Sequence, residues 1–258
     1  MDRREFGAAL VAASFLNLAG APARAQSAPS SRPRVGMVLY PDMILLDLVG
    51  PLTVFNIMQA EVHLIAKTLQ PVVPDVRVPI APTADFQTSP GAFDVLFVPG
   101  GLTGTIAAMK DSQTVDFVNA QGQSASLVTS VCTGSLLLGA AGLLKGYQAT
   151  SHWYVRDLLT LMGGIVRKDR VVEDRNRITG GGVTAGIDFG LTIAAKLVGE
   201  EAAKRIQLLI EYDPKPPFNA GSPESAGSAI ADQVLVRRKD VLLQAEAAAK
   251  AAGAKLNL

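Results

Sequence analysis

From residue 34 onward, short apolar runs closed by Gly, Pro or Asp alternate with stretches whose apolar residues recur every three or four positions. Arg34-Val35-Gly36-Met37-Val38-Leu39-Tyr40 ends at Pro41-Asp42. Its uninterrupted apolar character predicts a strand buried on both faces of a parallel sheet, because a half-solvated strand would alternate. Leu46 to Met58 has helical spacing, Glu61 to Lys67 alternates as a second strand, and Asp94 to Val98 forms a third, stopped by Pro99-Gly100-Gly101. Ile106 to Met109 and Val115 to Val118 read as helical pieces. Leu127 to Val131 is a further β-branched run, leading into Thr133 to Leu144, which is rich in Leu, Ala and Gly at helical spacing. Cys132 therefore falls where a strand gives way to a helix.

Downstream, Gln148 to Ser151 predicts a short strand and Trp153 to Met162 a helix, while the charged, alternating stretch Gly164 to Thr179 suits a hairpin near a sheet edge. Helices are expected over Ala185 to Val198 and Glu200 to Tyr212. Asp213 to Gly227 is rich in Pro, Gly and Ser and reads as loop, and Val234 to Ala252 forms a last helix. Strands and helices alternating over one core predict an α/β fold, a three-layer sandwich around a mainly parallel central sheet. The domain spans 34–227, and 228–258 is a C-terminal helical extension.

Composition narrows the function. The chain has 258 residues, 48% hydrophobic, with 24 Lys and Arg against 23 Asp and Glu, so no basic field exists to attract nucleic acid. One cysteine excludes an intrachain disulfide, a thiolate zinc cluster and a Cys-x-x-Cys pair together. No His/Asp/Glu group has metal-ligand spacing, so no metal is expected. At the N-terminus, Arg3-Arg4 precede the apolar run Phe6 to Leu18 and the small-x-small site Ala23-Arg24-Ala25. Residues 1–25 thus read as a signal peptide cleaved after Ala25, too short in its apolar part for a membrane anchor, which needs roughly 20 residues. The arginine pair just before a Phe favours the twin-arginine type over an ordinary secretory signal; either predicts a periplasmic protein. Residues 26–33, rich in Ser and Pro, are a flexible lead-in.

In a parallel sheet, ligands bind beyond the carboxyl ends of the strands. Asp47 after the first strand, Gly100-Gly101 after the third and Cys132 should gather there. Ser130-Val131-Cys132-Thr133-Gly134 has the form of a nucleophile elbow, which lifts one side chain off the sheet and aims the next helix at it. A helix N-terminus lowers a thiol's pKa, and the N–H groups of Thr133 and Gly101 are candidate donors to a developing anion. Periodicity alone leaves Cys132 open between a nucleophile and a small buried hydrophobe; its position after a buried strand, with Gly two residues on, favours the nucleophile. His152, beside Trp153, is either a packed residue or a member of the substrate site. Gly180-Gly181-Gly182 lacks the Walker lysine and the GxGxxG spacing and suits a closely packed turn. Asp188 is read as structural, and Glu173-Asp174 with Arg175 and Arg177 as a solvated edge.

Several blocks together carry a resemblance: Leu46-Asp47-Leu48-Val49-Gly50-Pro51, Val98-Pro99-Gly100-Gly101, Thr129 to Ser135 with Leu138 to Leu144, Ala149-Thr150-Ser151-His152-Trp153, Thr179 to Phe189, and Glu211-Tyr212 followed by Pro216 to Pro223. The chain resembles the ThiJ/PfpI family of the class I glutamine amidotransferase-like superfamily, and within it the isonitrile-hydrating members. The resemblance implies a flavodoxin-like fold, a homodimer, no cofactor, and addition of water to an isonitrile, a small-molecule substrate, to give an N-substituted formamide. It places the functional roles on Cys132, Asp47 and Thr133, read here as nucleophile, proton carrier and the residue orienting substrate or water; Gly101 and His152 are placed beside the substrate by their own positions after strands. Two features depart from the wider pattern. Thr133 stands where protease-like and glyoxalase-like members commonly have His, which argues against peptidase chemistry, and the export segment is unexpected in a hydratase. A competing reading is a periplasmic thiol sensor or a small-molecule-binding protein related to the ligand domain of AraC-type regulators. Only 228–258 remains beyond the domain, too short for a DNA-binding module of roughly 100 residues, two helix-turn-helix motifs' worth.

Overall fold

Seven strands form one sheet in the order β3-β2-β1-β4-β5-β9-β8. The computed structural model describes residues 32–258, so the expected signal peptide at 1–25 lies outside the described residues, as does most of the expected lead-in at 26–33. The strands are β1 (Arg34–Val38), β2 (Glu61–Ala66), β3 (Ala84–Asp85), β4 (Val95–Val98), β5 (Leu127–Val131), β8 (Val171–Asp174) and β9 (Arg177–Gly180). All neighbours pair in parallel except β8 with β9, an antiparallel hairpin at the edge, where the charged alternating stretch predicted one.

The burial follows the apolar runs. Every residue of β4 and β5 is buried, because these central strands have helices over both faces. On one face lie α1 (Leu45–Ile57), α5 (Ala185–Val198) and α6 (Glu200–Leu209), packed in that sequence against one another. On the other lie α2 (Leu102–Lys110), α3 (Ser112–Ser124), α4 (Gly134–Ala140) and α8 (Ser228–Lys255). This is the expected three-layer α/β sandwich. After β1 the chain adds strands on one side, then crosses to place β4 on the other, so a topological switch point lies between β1 and β4.

Five local expectations change. The helix after Cys132 stops at Ala140, and the chain turns through Gly142 in the left-handed region, φ +74°. The stretch expected as a helix from Trp153 is a 3-10 helix, Arg156–Met162. Part of the predicted hairpin, β7 (Ile165–Val166), leaves the main sheet and pairs in parallel with β6 (Gln148–Ala149). The loop at 213–227 contains a short helix, α7 (Pro223–Ala226), whose N-cap Ser222 accepts from the Ser225 N–H and donates reciprocally through a capping box. The final helix α8 starts before the expected Val234, at Ser228, and packs against the rest of the fold. Ala245, Ala248, Ala249 and Ala252 are buried, α8 packs on α2, α4 and the 3-10 helix, and the described residues form one compact unit. Among the described residues no helix is long and apolar enough to cross a membrane.

Candidate active site

Asp47, Gly100, Gly101 and Cys132 follow β1, β4 and β5 and meet at the switch point. Cys132 has φ +54°, a left-handed conformation that a side-chain-bearing residue adopts at a cost of about 1–3 kcal/mol. The surroundings hold it there from both sides. Its N–H donates to the carbonyls of Gly180 (3.1 Å) and Gly181 (2.8 Å) at the end of β9. Its carbonyl accepts from Ser151 Oγ (2.9 Å), Ser135 Oγ (3.3 Å) and the His152 N–H (3.3 Å). Gly180 and Gly181 therefore belong to the clamp on the elbow, in keeping with a packed turn.

Asp47 is fully buried in the first turn of α1. Its Oδ2 accepts from the Gly100 N–H at 2.8 Å, while Oδ1 is buried without a well-aligned partner and the Cys132 thiol lies within interaction range. Gly100 makes this possible. A Cβ built there falls 2.6 Å from the Thr133 nitrogen and 2.7 Å from both Asp47 Oδ2 and Cys132 Cβ, so only a residue without one fits between carboxylate and elbow. Gly101, at φ +133°, is held equally tightly, with a Cβ falling 2.5 Å from the Asp42 carbonyl oxygen.

Burial pushes the Asp47 carboxyl up to about 7, against the pull of the Gly100 N–H and the neighbouring thiol. Burial also pushes the Cys132 thiol well above its ordinary range, and the Asp47 charge adds to this. N–H groups of Thr133 and Val183 pull the other way and do not prevail. The expectation of a thiol lowered by its helix end is thus corrected. The helix is short, and desolvation with a carboxylate neighbour outweighs two backbone donors. At rest the pair holds a thiol beside a carboxyl that titrates near neutrality, because two adjacent buried groups resist ionising together.

Thr133 is also placed differently from the expected orienting role. Its Oγ1 accepts from the Gly101 N–H at 2.9 Å and lies 2.8 Å from Thr105 Oγ1, which lies 3.1 Å from the Tyr40 hydroxyl. Tyr40 donates its one proton to the Pro99 carbonyl. Proton counting then fixes the chain, since Thr105 must donate to Tyr40 and Thr133 to Thr105. The Thr133 hydroxyl proton is spent inside this network, and the fully buried residue is not part of the cavity wall described below. It positions the Gly100-Gly101 turn. The same bond consumes the Gly101 N–H, which is therefore unavailable as the expected donor to a developing anion.

Cys132 opens into a cavity of about 300 Å³ walled by Ile44, Leu102, Val183 and the aromatic run His152-Trp153-Tyr154 on one side. The other side is Gly221, Pro223 and residues of α8. A volume at the low end of ligand sites suits a small molecule. His152 is in the wall, as expected of a substrate-side residue, with its ring 3.7 Å from that of Tyr154. Burial and the nearby Arg238 and Arg156 lower its pKa to about 4, so it is neutral at physiological pH and makes a polar wall rather than an acid. Sequence reasoning missed Val183, whose N–H meets the thiol, and Tyr154; neither belongs to a residue pattern with chemistry of its own. Among the described residues no group of His, Cys, Asp and Glu could hold a metal ion.

The model of the DJ-1/PfpI family matches residues 33–196, most of the chain and all of the elbow region. The chain belongs to the DJ-1/PfpI family. It is 48% identical over 226 residues to the isonitrile hydratase of Pseudomonas putida, covering 87% of this chain and 98% of that protein. The crystal structure of a ThiJ/PfpI family protein from Pseudomonas syringae matches with a TM-score of 0.83 and 48% identity, covering 85% of this chain and 91% of that one. An HTH-type transcriptional regulator of Pseudomonas aeruginosa is 32% identical over 136 residues, but this covers only 36% of the regulator. The family's shared region thus occurs both alone and joined to other modules, and this chain matches the hydratase over nearly its whole length.

Proposed function

We propose that this protein is an isonitrile hydratase-like hydro-lyase, adding water to an isonitrile to give an N-substituted formamide without a cofactor. The observation that carries the reading is the buried pair of Cys132 and Asp47 at the base of a small, mostly apolar cavity, in a chain that spans 98% of a relative bearing that activity in its name. An isonitrile is compact, apolar and electrophilic at its terminal carbon, where it also accepts a proton. It needs a nucleophile and a proton carrier at one atom.

Cys132 Sγ bonds to that carbon while Asp47 takes the thiol proton and delivers it to the same carbon, giving a neutral thioimidate. An acid poised near pH 7 suits both halves of this transfer. Water then adds across the C=N bond, its oxygen to carbon and one proton to nitrogen. The C–S bond breaks, the remaining hydroxyl proton returns through Asp47 to sulfur, and the formamide leaves with the thiol restored. Neutral His152 and the aromatic wall hold the substituent. We place the enzyme in the periplasm as a homodimer, the first from the N-terminal 1–25 pattern and the second from its family membership. The test is formation of formamide from simple alkyl and aryl isonitriles by purified protein, followed by NMR. Absence of formamide with every isonitrile offered overturns the reading.

A further inference from the structure

The cavity above Cys132 has one wall outside the region that the family model matches. Ile230, Ala231, Val234 and Arg238 form a single stripe of α8, at helical spacing, and line the cavity together with the aromatic run. Three of these four are apolar. The exception, Arg238, is exposed and among the described residues brings the one formal charge in the cavity lining, since His152 is neutral and no described Asp, Glu or Lys lines it.

Arg238 is also chemically uncommitted. Among the described residues its guanidinium makes no ion pair and no hydrogen bond; it lies over the Tyr154 ring, 5.4 Å from the centroid. That contact orients the group and leaves its edge donors free for a planar anion. Tyr154 shares the cavity lining with both groups, its hydroxyl feeling the charge of Cys132 and of Arg238.

We propose that Arg238 is a specificity-determining residue, and that the substrate is an isonitrile whose short apolar substituent ends in an anionic group, a carboxylate in the simplest case. This rests on the hydratase reading and narrows it to a substrate class. The isonitrile carbon sits at Cys132, the spacer lies along Tyr154 and Val234, and the anion pairs with Arg238 at the exposed end.

The test uses ω-isocyanobutanoate and its methyl ester as matched substrates, with the wild-type protein, Arg238→Gln and Arg238→Lys. An exposed ion pair is worth up to about 1 kcal/mol, so the wild type should favour the acid over the ester by about fivefold in kcat/KM. Arg238→Gln should erase that ratio through KM, and Arg238→Lys should restore part of it. Equal or better use of the ester by the wild type, or a ratio that Arg238→Gln leaves in place, overturns the proposal. In parallel, calorimetry measures binding of ω-formamidobutanoate and its methyl ester to the same proteins. If no isonitrile is turned over, the hydratase reading fails alone. The anion subsite then stands when the acid binds more tightly in an Arg238-dependent way, and falls when acid and ester bind alike.

Discussion

Gly100→Ala isolates geometry from chemistry, because it adds one methyl group and removes no functional atom. That methyl carbon would lie 2.6–2.7 Å from the Thr133 nitrogen, Asp47 Oδ2 and Cys132 Cβ, all three being fully buried or nearly so. Ordinary contact begins near 3.4 Å, so the surrounding atoms must give by about 0.7 Å. The elbow cannot easily yield, since five hydrogen bonds clamp the Cys132 peptide groups. The carboxylate must therefore swing away from the thiol and lose the Gly100 N–H. Overpacking of this kind costs about 1–3 kcal/mol, which lowers Tm by roughly 2–4 °C per kcal/mol for a domain of this size. The catalytic loss should be larger, because misplacing a reacting group by about 1 Å costs about 10²-fold. We expect kcat for isonitrile hydration to fall by roughly 10- to 100-fold, with the protein still folded by circular dichroism at 25 °C. A folded Gly100→Ala protein that turns over within twofold of wild type would refute the claim that this glycine sets the thiol to carboxyl geometry.

Cys132→Ala should abolish turnover, Asp47→Asn should lower it by roughly 10²-fold or more, and the double variant should be no worse than Cys132→Ala, as steady-state kinetics with one isonitrile would check. Asp47 also predicts a pH dependence of stability. Its carboxyl rises from about 3.8 unfolded to about 7 folded, so burial costs nothing below pH 4, costs more as pH climbs, and is fully unfavourable above 7. Asp47→Asn should accordingly raise Tm at pH 8 and leave it unchanged near pH 4; a gain of equal size at both pH values contradicts the raised carboxyl. Replacing Arg3 and Arg4 with Lys should block export through the twin-arginine route, and mass measurement of the periplasmic form should give a chain beginning at Gln26; an intact Met1 there would exclude cleavage.

Elements whose chemistry is local were legible in the sequence. The two central strands declare themselves as unbroken apolar runs, and the turns after them as Pro99-Gly100-Gly101 and Cys132-Thr133-Gly134, so the parallel sheet and the gathering of Asp47 with Cys132 follow from strand polarity alone. What was not legible depends on partners distant in sequence. The early end of α4 is set by a left-handed Gly142, one glycine among several in that stretch. The departure of β7 from the main sheet depends on its pairing with β6, seventeen residues before it, as Gln148 to Ile165 shows. Nothing in the polar spacing of α8 reveals that Arg238 lines the cavity above Cys132, because exposed arginines on an alanine-rich helix ordinarily face solvent.

The thiol is the case where a correct local rule gives the wrong sign. The elbow does aim backbone donors at Cys132, and in water that would favour the thiolate. Here the sulfur is buried, and its neighbour is an acid that burial also holds back from ionising. A permanently ionised thiolate would suit a sensor, which must react with any oxidant that arrives. A thiol whose proton is retained until a substrate carbon can take it suits addition across an isonitrile, because the proton and the sulfur go to the same atom. Burial therefore supplies what the reaction needs. It keeps the nucleophile unreactive toward passing oxidants, and it keeps Asp47 near pH 7, where one carboxyl can both accept a proton from sulfur and release it to carbon.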